Sequence, residues 1–445
     1  MAETTGARTP VPLRPWLAVL LAAAAAHAAG PEEILEQALA RLQADTRSFS
    51  RYACIETVER QYFEPAPPAV SSSARSCPQV LAGIEAETAP PKLEAIDRLR
   101  LEVTVSEGRE IYSWPGATRF DSRYIDQIIR QGPIATGSFG THLLAVFDNP
   151  RIQYRFAGEE TEGGRRLLEF RFHVPLAASQ YRVRVEQSWV PIAYDGSFWL
   201  DAGSFALQRF TFWAEDVPAA TSICRLDADL DYQRGPEGSA GFLLPSQSRL
   251  RIAFSSGRRT ANLTTFSNCR EYQAESEVVF EANPQVSDGA SVPPSWVRMA
   301  LPIGLPVVLA LETPVDTQTA AAGDQVTARV VDAVRRPGSA AVLIPAGATV
   351  RGRLTRVEHH LLPSPYFLVA MSFNRLDWQG TSSPFAARSE GSTSLARSLG
   401  VTLDTQGGGL RFWDVGTFLF ASSAGHYVIP AGFESKWTTL APRPQ

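Results

Sequence analysis

The chain has 445 residues, too many for one ordinary hydrophobic core and enough for two domains or three small ones. With 44% hydrophobic and 20% charged residues it reads as globular, and a net charge of −4 excludes a nucleic-acid partner, which needs a basic field to neutralise phosphates. Lys92 and Lys436 are its two lysines, so Schiff-base and lysine general-base chemistry have almost no candidates.

Residues 1–30 read as a secretory signal peptide. Arg8 and Arg14 form the positive start, residues 16–26 are an unbroken apolar run, and Ala26-His27-Ala28 and Ala28-Ala29-Gly30 offer small-residue cleavage sites. The run is shorter than the roughly 20 residues a membrane span needs, and no cysteine follows it to carry a lipid anchor. Residues 301–311 are apolar, but Pro302 and Pro306 interrupt them. The expectation is an exported chain, periplasmic or associated with the outer membrane, with no stable transmembrane segment once the signal is removed.

Residues 32–44 read as a helix, with Leu35, Leu39 and Leu42 at helical spacing, Ile34 and Ala38 widening the stripe, and Pro31 at the start. Residues 48–63 read as a strand or strand pair, and the Pro/Ser/Ala-rich stretch 64–91 as a loop tied down by Cys77. From about Leu99 the rhythm is period two. Leu99, Leu101, Val103 and Val105 share a face, as do Leu168, Phe170, Phe172 and Val174; Tyr181, Val183 and Val185; and Leu226, Ala228, Leu230 and Tyr232. Charged residues occupy the alternate positions, the pattern of antiparallel sheet solvated on one side. Glu162-Gly163-Gly164, Asp195-Gly196, Arg234-Gly235-Pro236 and Ser256-Gly257 read as turns. Between Tyr124 and Phe147 the pattern turns helical, through Ile125, Ile128, Ile129, Leu143, Leu144 and Phe147.

Residues 282–298 read as a linker, and 299–440 as a second β-rich unit with strands at 307–311, 325–334, 341–344, 349–357 and 367–373. Residues 387–409 are Ser/Gly-rich and read as an insertion. Val342-Leu343-Ile344-Pro345-Ala346-Gly347 recurs as Tyr427-Val428-Ile429-Pro430-Ala431-Gly432, a buried strand ending in a turn.

Cys54, Cys77, Cys224 and Cys269 form an even set in an exported chain, which implies disulfides. Three pairings are open; Cys54–Cys77 with Cys224–Cys269 is favoured, since each pair brackets one hairpin-like excursion.

Two resemblances follow from these residues. The helix at 32–44, the following strand with Phe49 and Tyr52, and the meander to Phe280 resemble the open half-barrel of LolA/LolB-type lipoprotein carriers, which implies a curved antiparallel sheet around one or two helices over 31–281. Gly323-Asp324-Gln325-Val326-Thr327-Ala328-Arg329-Val330 and Val342 through Gly352 are similar to the periplasmic β-barrel domain of TrbI-type conjugation and secretion proteins, in which the corresponding Ile-Pro stretch is structural. That resemblance implies a small β-barrel or sandwich.

The site candidates are sparse. Trp189, Phe198, Trp199, Phe210, Phe212 and Trp213 crowd one group of strands; they form core if the sheet closes, or line an apolar cavity for an acyl chain if it stays open. Neighbouring strand residues point to opposite faces, so His359 and His360 do not share a metal easily. Ser138 and His142 imitate a nucleophile elbow only superficially, and Ser138 or Thr141 reads better as a helix cap. Asp227, Asp229 and Asp231 align on one strand face, either holding a cation or pairing with arginines such as Arg249 and Arg251. Gly407-Gly408-Gly409 lacks the strand and helix of a phosphate loop.

The expected fold is mainly β, in two domains. The expected function is non-enzymatic: an envelope protein, with no cofactor, binding a lipid, another hydrophobic molecule or an envelope protein partner. A structural or interaction module without a small ligand is the alternative, and a periplasmic hydrolase the third.

Overall fold

In the computed structural model, Met1, Phe120 and residues 30–65, 76–117, 125–129, 132–185, 188–234, 243–271, 301–389 and 416–441 are described. Residues 2–29 of the leader, the linker 282–298, the Arg234-Gly235-Pro236 turn beyond Arg234 and Gly407-Gly408-Gly409 lie outside the described residues.

Helix α1 (Pro31–Ser48) begins at Pro31, with Glu32 and Glu33 in its positive first turn and Arg47 in its last. Ile34, Ala38 and Leu42 are buried against the sheet. Strand β1 (Tyr52–Phe63) follows, then helix α2 (Cys77–Glu85), β2 (Leu93–Ser106) and β3 (Arg109–Ser113). The stretch 64–91, read as loop, thus contains a helix. Ser76 and Gln79 form a capping box at its start, and Pro78 sits in the first turn. The expected helical stretch at 124–147 is two pieces, α3 (Ile125–Ile128) and α4 (Thr141–Phe147). Between them Gly132, Pro133 and Gly137 break the helix, with both glycines at positive φ.

The next strands are β4 (Tyr154–Glu162), β5 (Arg165–Val174), the small separate pair β6 (Arg182–Val185) and β7 (Ser188–Pro191), then β8 (Tyr194–Asp201), β9 (Leu207–Ala214), β10 (Ile223–Arg234), β11 (Leu243–Phe254) and β12 (Arg259–Glu271). Apart from β6 and β7, they pair antiparallel in the order β4-β5-β8-β9-β10-β11-β12-β1-β2-β3. This is a large antiparallel sheet, curved around α1 and α4 and not closed into a barrel. Gly163 and Gly164, both at positive φ, make the β4–β5 turn as read. Asp195-Gly196 does not turn. It lies inside β8, where any Cβ on Gly196 would overlap the Phe172 ring and the Thr211 carbonyl. The glycine signals close packing, not a reversal.

The second unit has its own core. Its strands are β13 (Pro306–Leu311), β14 (Val315–Asp316), β15 (Gln325–Val330), β16 (Val334–Arg335), β17 (Val342–Ile344), β18 (Thr349–His360), β19 (Tyr366–Trp378), β20 (Thr381–Pro384), β21 (Ala387–Ser389), β22 (Thr417–Ala421), β23 (Val428–Ile429) and β24 (Glu434–Thr439). They pair in the order β22-β19-β18-β15-β13-β24-β21, and β20 also pairs with β19. The short sequence repeat is a structural repeat. In one copy β16 pairs with β17, Gly347 N donates to the Val330 carbonyl and Val330 N to that of Ala348; in the other β14 pairs with β23, Gly432 N donates to the Leu311 carbonyl and Leu311 N to that of Phe433. Ile344 and Ile429 are fully buried, and Gly347 and Gly432 share a positive φ.

The units join along the outer edge of β2. Its far end pairs with β3, Arg98 and Arg100 bond through their backbones to Ala322, and Ala95, Ile96 and Asp97 pair with His360, His359 and Glu358 of β18. Arg100 also bonds Asp324 and the Thr319 carbonyl, while Arg353 reaches the Pro115 and Gly323 carbonyls.

Candidate ligand-binding site

The concave face of the large sheet changes character from one side to the other. On β5, β8 and β9 it is aromatic: Phe170 stacks on Phe198 at 5.4 Å and Phe172 on Phe210 at 5.3 Å between ring centroids. Phe147 of α4 meets Phe198 edge-on at 5.0 Å, and Gln43 of α1 donates to the Phe147 carbonyl. Phe198, Phe210 and Phe212 have at most 2% of their surface exposed. Burying rings this fully contributes roughly 1.5–3 kcal/mol each, so they hold the fold.

The six expected cavity aromatics therefore do not share a face. Trp199 and Trp213 alternate with the buried rings and point outward, where the Arg209 guanidinium lies 5.3 Å from the Trp199 ring. Trp189 sits on the separate β6–β7 hairpin and is 40% exposed. The period-two rule that separates them is the one that separates His359 and His360. His359 stacks on Phe367, while His360 stacks on Tyr366 and bonds Glu358 through Nε2 at 2.8 Å.

Toward β11, β12 and β1 the same face turns polar, with Ser248, Thr260, Asn262, Thr264, Glu56 and Arg60 all buried. The segment 132–140 lies over it. Asn262 Nδ2 donates to the Pro133 carbonyl, and the Ser138 and Ser248 hydroxyls bond each other at 3.0 Å. His142 packs instead on Tyr181 and Phe212, and burial pushes its imidazole down to about 3, so the ring is neutral. Ser138 and His142 thus have different partners.

Neither Ser138 nor Thr141 caps α4. Glu110, from distant β3, holds the turn that leads into it: its carboxylate accepts from the backbone N–H of Gly137, Phe139 and Gly140 and from the Tyr112 hydroxyl. Burial, and secondarily the nearby Glu110, pushes the Glu56 carboxyl well above its usual range. The Tyr232 hydroxyl, Asn262 Oδ1 and Thr260 Oγ1 are buried without a hydrogen-bond partner among the described residues. Such atoms are rare in native folds and mark polar space that the described residues do not satisfy.

That polar strip opens at the strand ends into a cavity of about 360 Å³. Tyr62, Phe63 and Phe254 make its apolar wall, and Thr260, Arg258 and Arg259 line the rest with three serines. Arg258 pairs with Glu94 at 3.0 Å and Arg259 with Glu87 at 2.7 Å, while Arg259 Nε is buried without a partner among the described residues. An apolar wall with a few convergent polar groups, in this volume range, is the usual make-up of a small-molecule site. The sequence carries one weak sign of it, the Arg258-Arg259 doublet after the Ser256-Gly257 turn. That three strand ends meet around it is a tertiary fact.

The cysteines pair as Cys54–Cys269 and Cys77–Cys224, not as favoured from the sequence. β1 and β12 are ladder neighbours, which brings Cys54 to Cys269, and α2 packs on β10, which brings Cys77 to Cys224. Asp227 and Asp229 pair with Arg225 and Arg251, and Asp231 lies 3.9 Å from Arg209. No helix among the described residues is long and apolar enough to cross a membrane.

No family model and no curated sequence matches the chain. Among solved structures it is similar to ComB10 of the Com type IV secretion system of Helicobacter pylori, at 13% identity over 31% of this chain and 86% of that one, with a TM-score of 0.19. It is also similar to the LolA superfamily protein NE2245 from Nitrosomonas europaea, at 9% identity over 53% of this chain and 94% of that one, with a TM-score of 0.25. A third is a putative outer membrane lipoprotein-sorting protein domain from Vibrio parahaemolyticus, at 10% identity over 54% and 93%, with a TM-score of 0.26. At these scores the likeness carries no argument about function, but the two resemblances read from the sequence recur among solved structures.

Proposed function

We propose that the protein is exported to the cell envelope and binds a hydrophobic molecule with a polar head without transforming it. The tail lies between Tyr62, Phe63 and Phe254, and the head meets Arg258 and Arg259. What carries this reading is the cavity at the open strand ends, mostly apolar yet bordered by Thr260 Oγ1 and Arg259 Nε, which have no hydrogen-bond partner among the described residues. Two disulfides support export, because such bonds persist chiefly in oxidising compartments. The aromatic half of the sheet acts as scaffold.

Native mass spectrometry of the full-length protein tests it. Purified protein carries copurified mass in the lipid range, and palmitate at a hundredfold excess over its Kd adds about 2.7 kcal/mol of stability. Phe254→Ser, at a half-buried position, loses both effects while keeping the fold. Protein that carries no such mass, and whose Tm is unchanged by delipidation and by palmitate, ends the proposal.

A further inference from the structure

The cavity at Tyr62, Phe63 and Phe254 is balanced in charge. Arg258 and Arg259 are its charged lining residues among those described. Both are already paired. Arg259 sends Nη1 and Nη2 to the two carboxylate oxygens of Glu87, at 2.7 Å and 3.1 Å, and Arg258 sends Nη1 to Glu94 at 3.0 Å. Glu87 follows α2 and Glu94 stands at the start of β2, so the two acids come from separate elements. Next to Phe63, Glu64 lies 3.9 Å from Lys92. Each of these three cations therefore faces one carboxylate. Hydrogen-bonding capacity remains. Arg258 has Nε and Nη2 besides the nitrogen given to Glu94, and about half of its side chain is exposed. Ser222, Ser255 and Ser256 add hydroxyls to the lining. The Tyr62 hydroxyl donates to Asp97 at 3.0 Å, so its ring is what a ligand meets.

A charged head gains little in such a place. A carboxylate or phosphate that approaches Arg258 or Arg259 also approaches Glu94 or Glu87, and like charges repel; an ammonium meets the two arginines in the same way. Either head sheds water with no net opposite charge to replace it. An uncharged head with several oxygens escapes this cost. Its oxygens accept from Arg258, and its hydroxyls exchange hydrogen bonds with the serines. The volume also limits the tail. At about 360 Å³ the cavity lies near the lower end of ligand pockets, which run from roughly 300 to 1,000 Å³, and it has room for one chain rather than two.

Resting on the binding proposed above, we infer that the ligand is an uncharged single-chain lipid whose head carries hydroxyl and carbonyl oxygens, the chemistry of a monoacylglycerol. Titration of the delipidated, full-length, disulfide-intact protein with monopalmitoylglycerol, palmitate and hexadecylamine keeps the tail nearly constant and varies the charge of the head. Monopalmitoylglycerol binds about tenfold more tightly than either charged lipid, and its affinity does not change with salt. Glu94→Gln, at a partly exposed position, leaves Arg258 without its anion and raises the affinity for palmitate about tenfold relative to monopalmitoylglycerol, the gain of one charge-assisted bond. Arg258→Gln leaves Glu94 without its cation and shifts the preference toward hexadecylamine instead. Palmitate or hexadecylamine binding the wild type as tightly as monopalmitoylglycerol, or a folded Glu94→Gln variant with the wild-type preference, overturns this inference and leaves the proposed binding standing. Absence of binding by all three lipids ends both.

Discussion

Glu110 shows how one side chain can organise a segment. It sits on β3, twenty-seven residues before the first N–H it receives, yet three backbone donors of the 137–140 turn end on its carboxylate. Hydrogen bonds to a charged group contribute roughly 1.5–3 kcal/mol each, so Glu110 is the main anchor of the segment covering the polar strip. Other buried groups set the pH dependence of stability, and they pull in opposite directions. Burial would raise Glu358, but Arg356 and His360 outweigh it and bring its carboxyl down to about 2. A carboxyl depressed on folding stabilises above its unfolded value of about 4.5, and that contribution is lost as pH falls toward 2. It is worth about 3 kcal/mol, so Glu358→Gln lowers stability by roughly that amount at pH 7 and removes this part of the acid dependence. His142, depressed by burial, also favours the fold at higher pH: its contribution is complete above the unfolded value of about 6.5 and falls away as pH drops toward 3. Glu56 has the reverse sign. Its raised carboxyl stabilises below its unfolded value, and the benefit is lost as pH rises through the folded value, so Glu56→Gln gains relative to wild type as pH rises. Urea unfolding of the three proteins across pH 3–9 checks these signs; a Glu358→Gln curve parallel to wild type from pH 7 to pH 3 refutes the assignment.

At the scale of elements, the disulfides do different work. Cys54–Cys269 joins strands already paired along a full ladder, whereas Cys77–Cys224 attaches α2, whose packing on β10 and β11 is slight. Both close long loops, for which chain entropy gives a stabilisation of about 5 kcal/mol each. Replacing Cys77 and Cys224 by serine should cost about 2–5 kcal/mol and raise amide exchange in α2 above that in β1 and β12, which hydrogen exchange resolves. Equal protection of α2 with and without the bond refutes this. The sequence announced the strands well, because Leu168, Phe170, Phe172 and Val174 alternate as their sheet faces do. It hid α2 behind Pro78 and a composition that reads as loop, and it hid the partners of the cysteines, because β1 and β12 are neighbours although 215 residues separate the two cysteines they carry. Gly196 misled for a related reason, since a glycine needed for close packing looks like a glycine needed for a turn. Of the cavity at Tyr62 and Thr260 the sequence showed only the Arg258-Arg259 doublet, because its walls come from three strand ends brought together by the curvature of the sheet.

The whole molecule turns on β2. One edge pairs with β1; the other meets β3, then the backbone of Ala322, then β18, so a single strand belongs to the first core and carries the second unit. Side chains reinforce the join: Arg98 bonds Glu59 and the carbonyls of Thr317 and Gln318, and Arg100 bonds Asp324. Ala322 itself packs into the first core. Any Cβ on Gly323 would collide with the Arg100 carbonyl and the Trp114 ring, so the backbones meet there with no room for a side chain. A junction built from shared backbone hydrogen bonds and charge-assisted side-chain bonds couples the two cores, and unfolding either exposes β2. We propose that the two units unfold as one cooperative body although each has its own core. Calorimetry of the wild type gives one transition, with the calorimetric and van't Hoff enthalpies equal. Replacing Arg98 and Arg100 together by alanine removes the side-chain bonds from β2 to the 317–324 segment but spares the β2–β18 ladder, and it splits the transition in two. Two transitions in the wild type would refute the coupling, and one unchanged transition in the double variant would mean that something other than these two arginines couples the units.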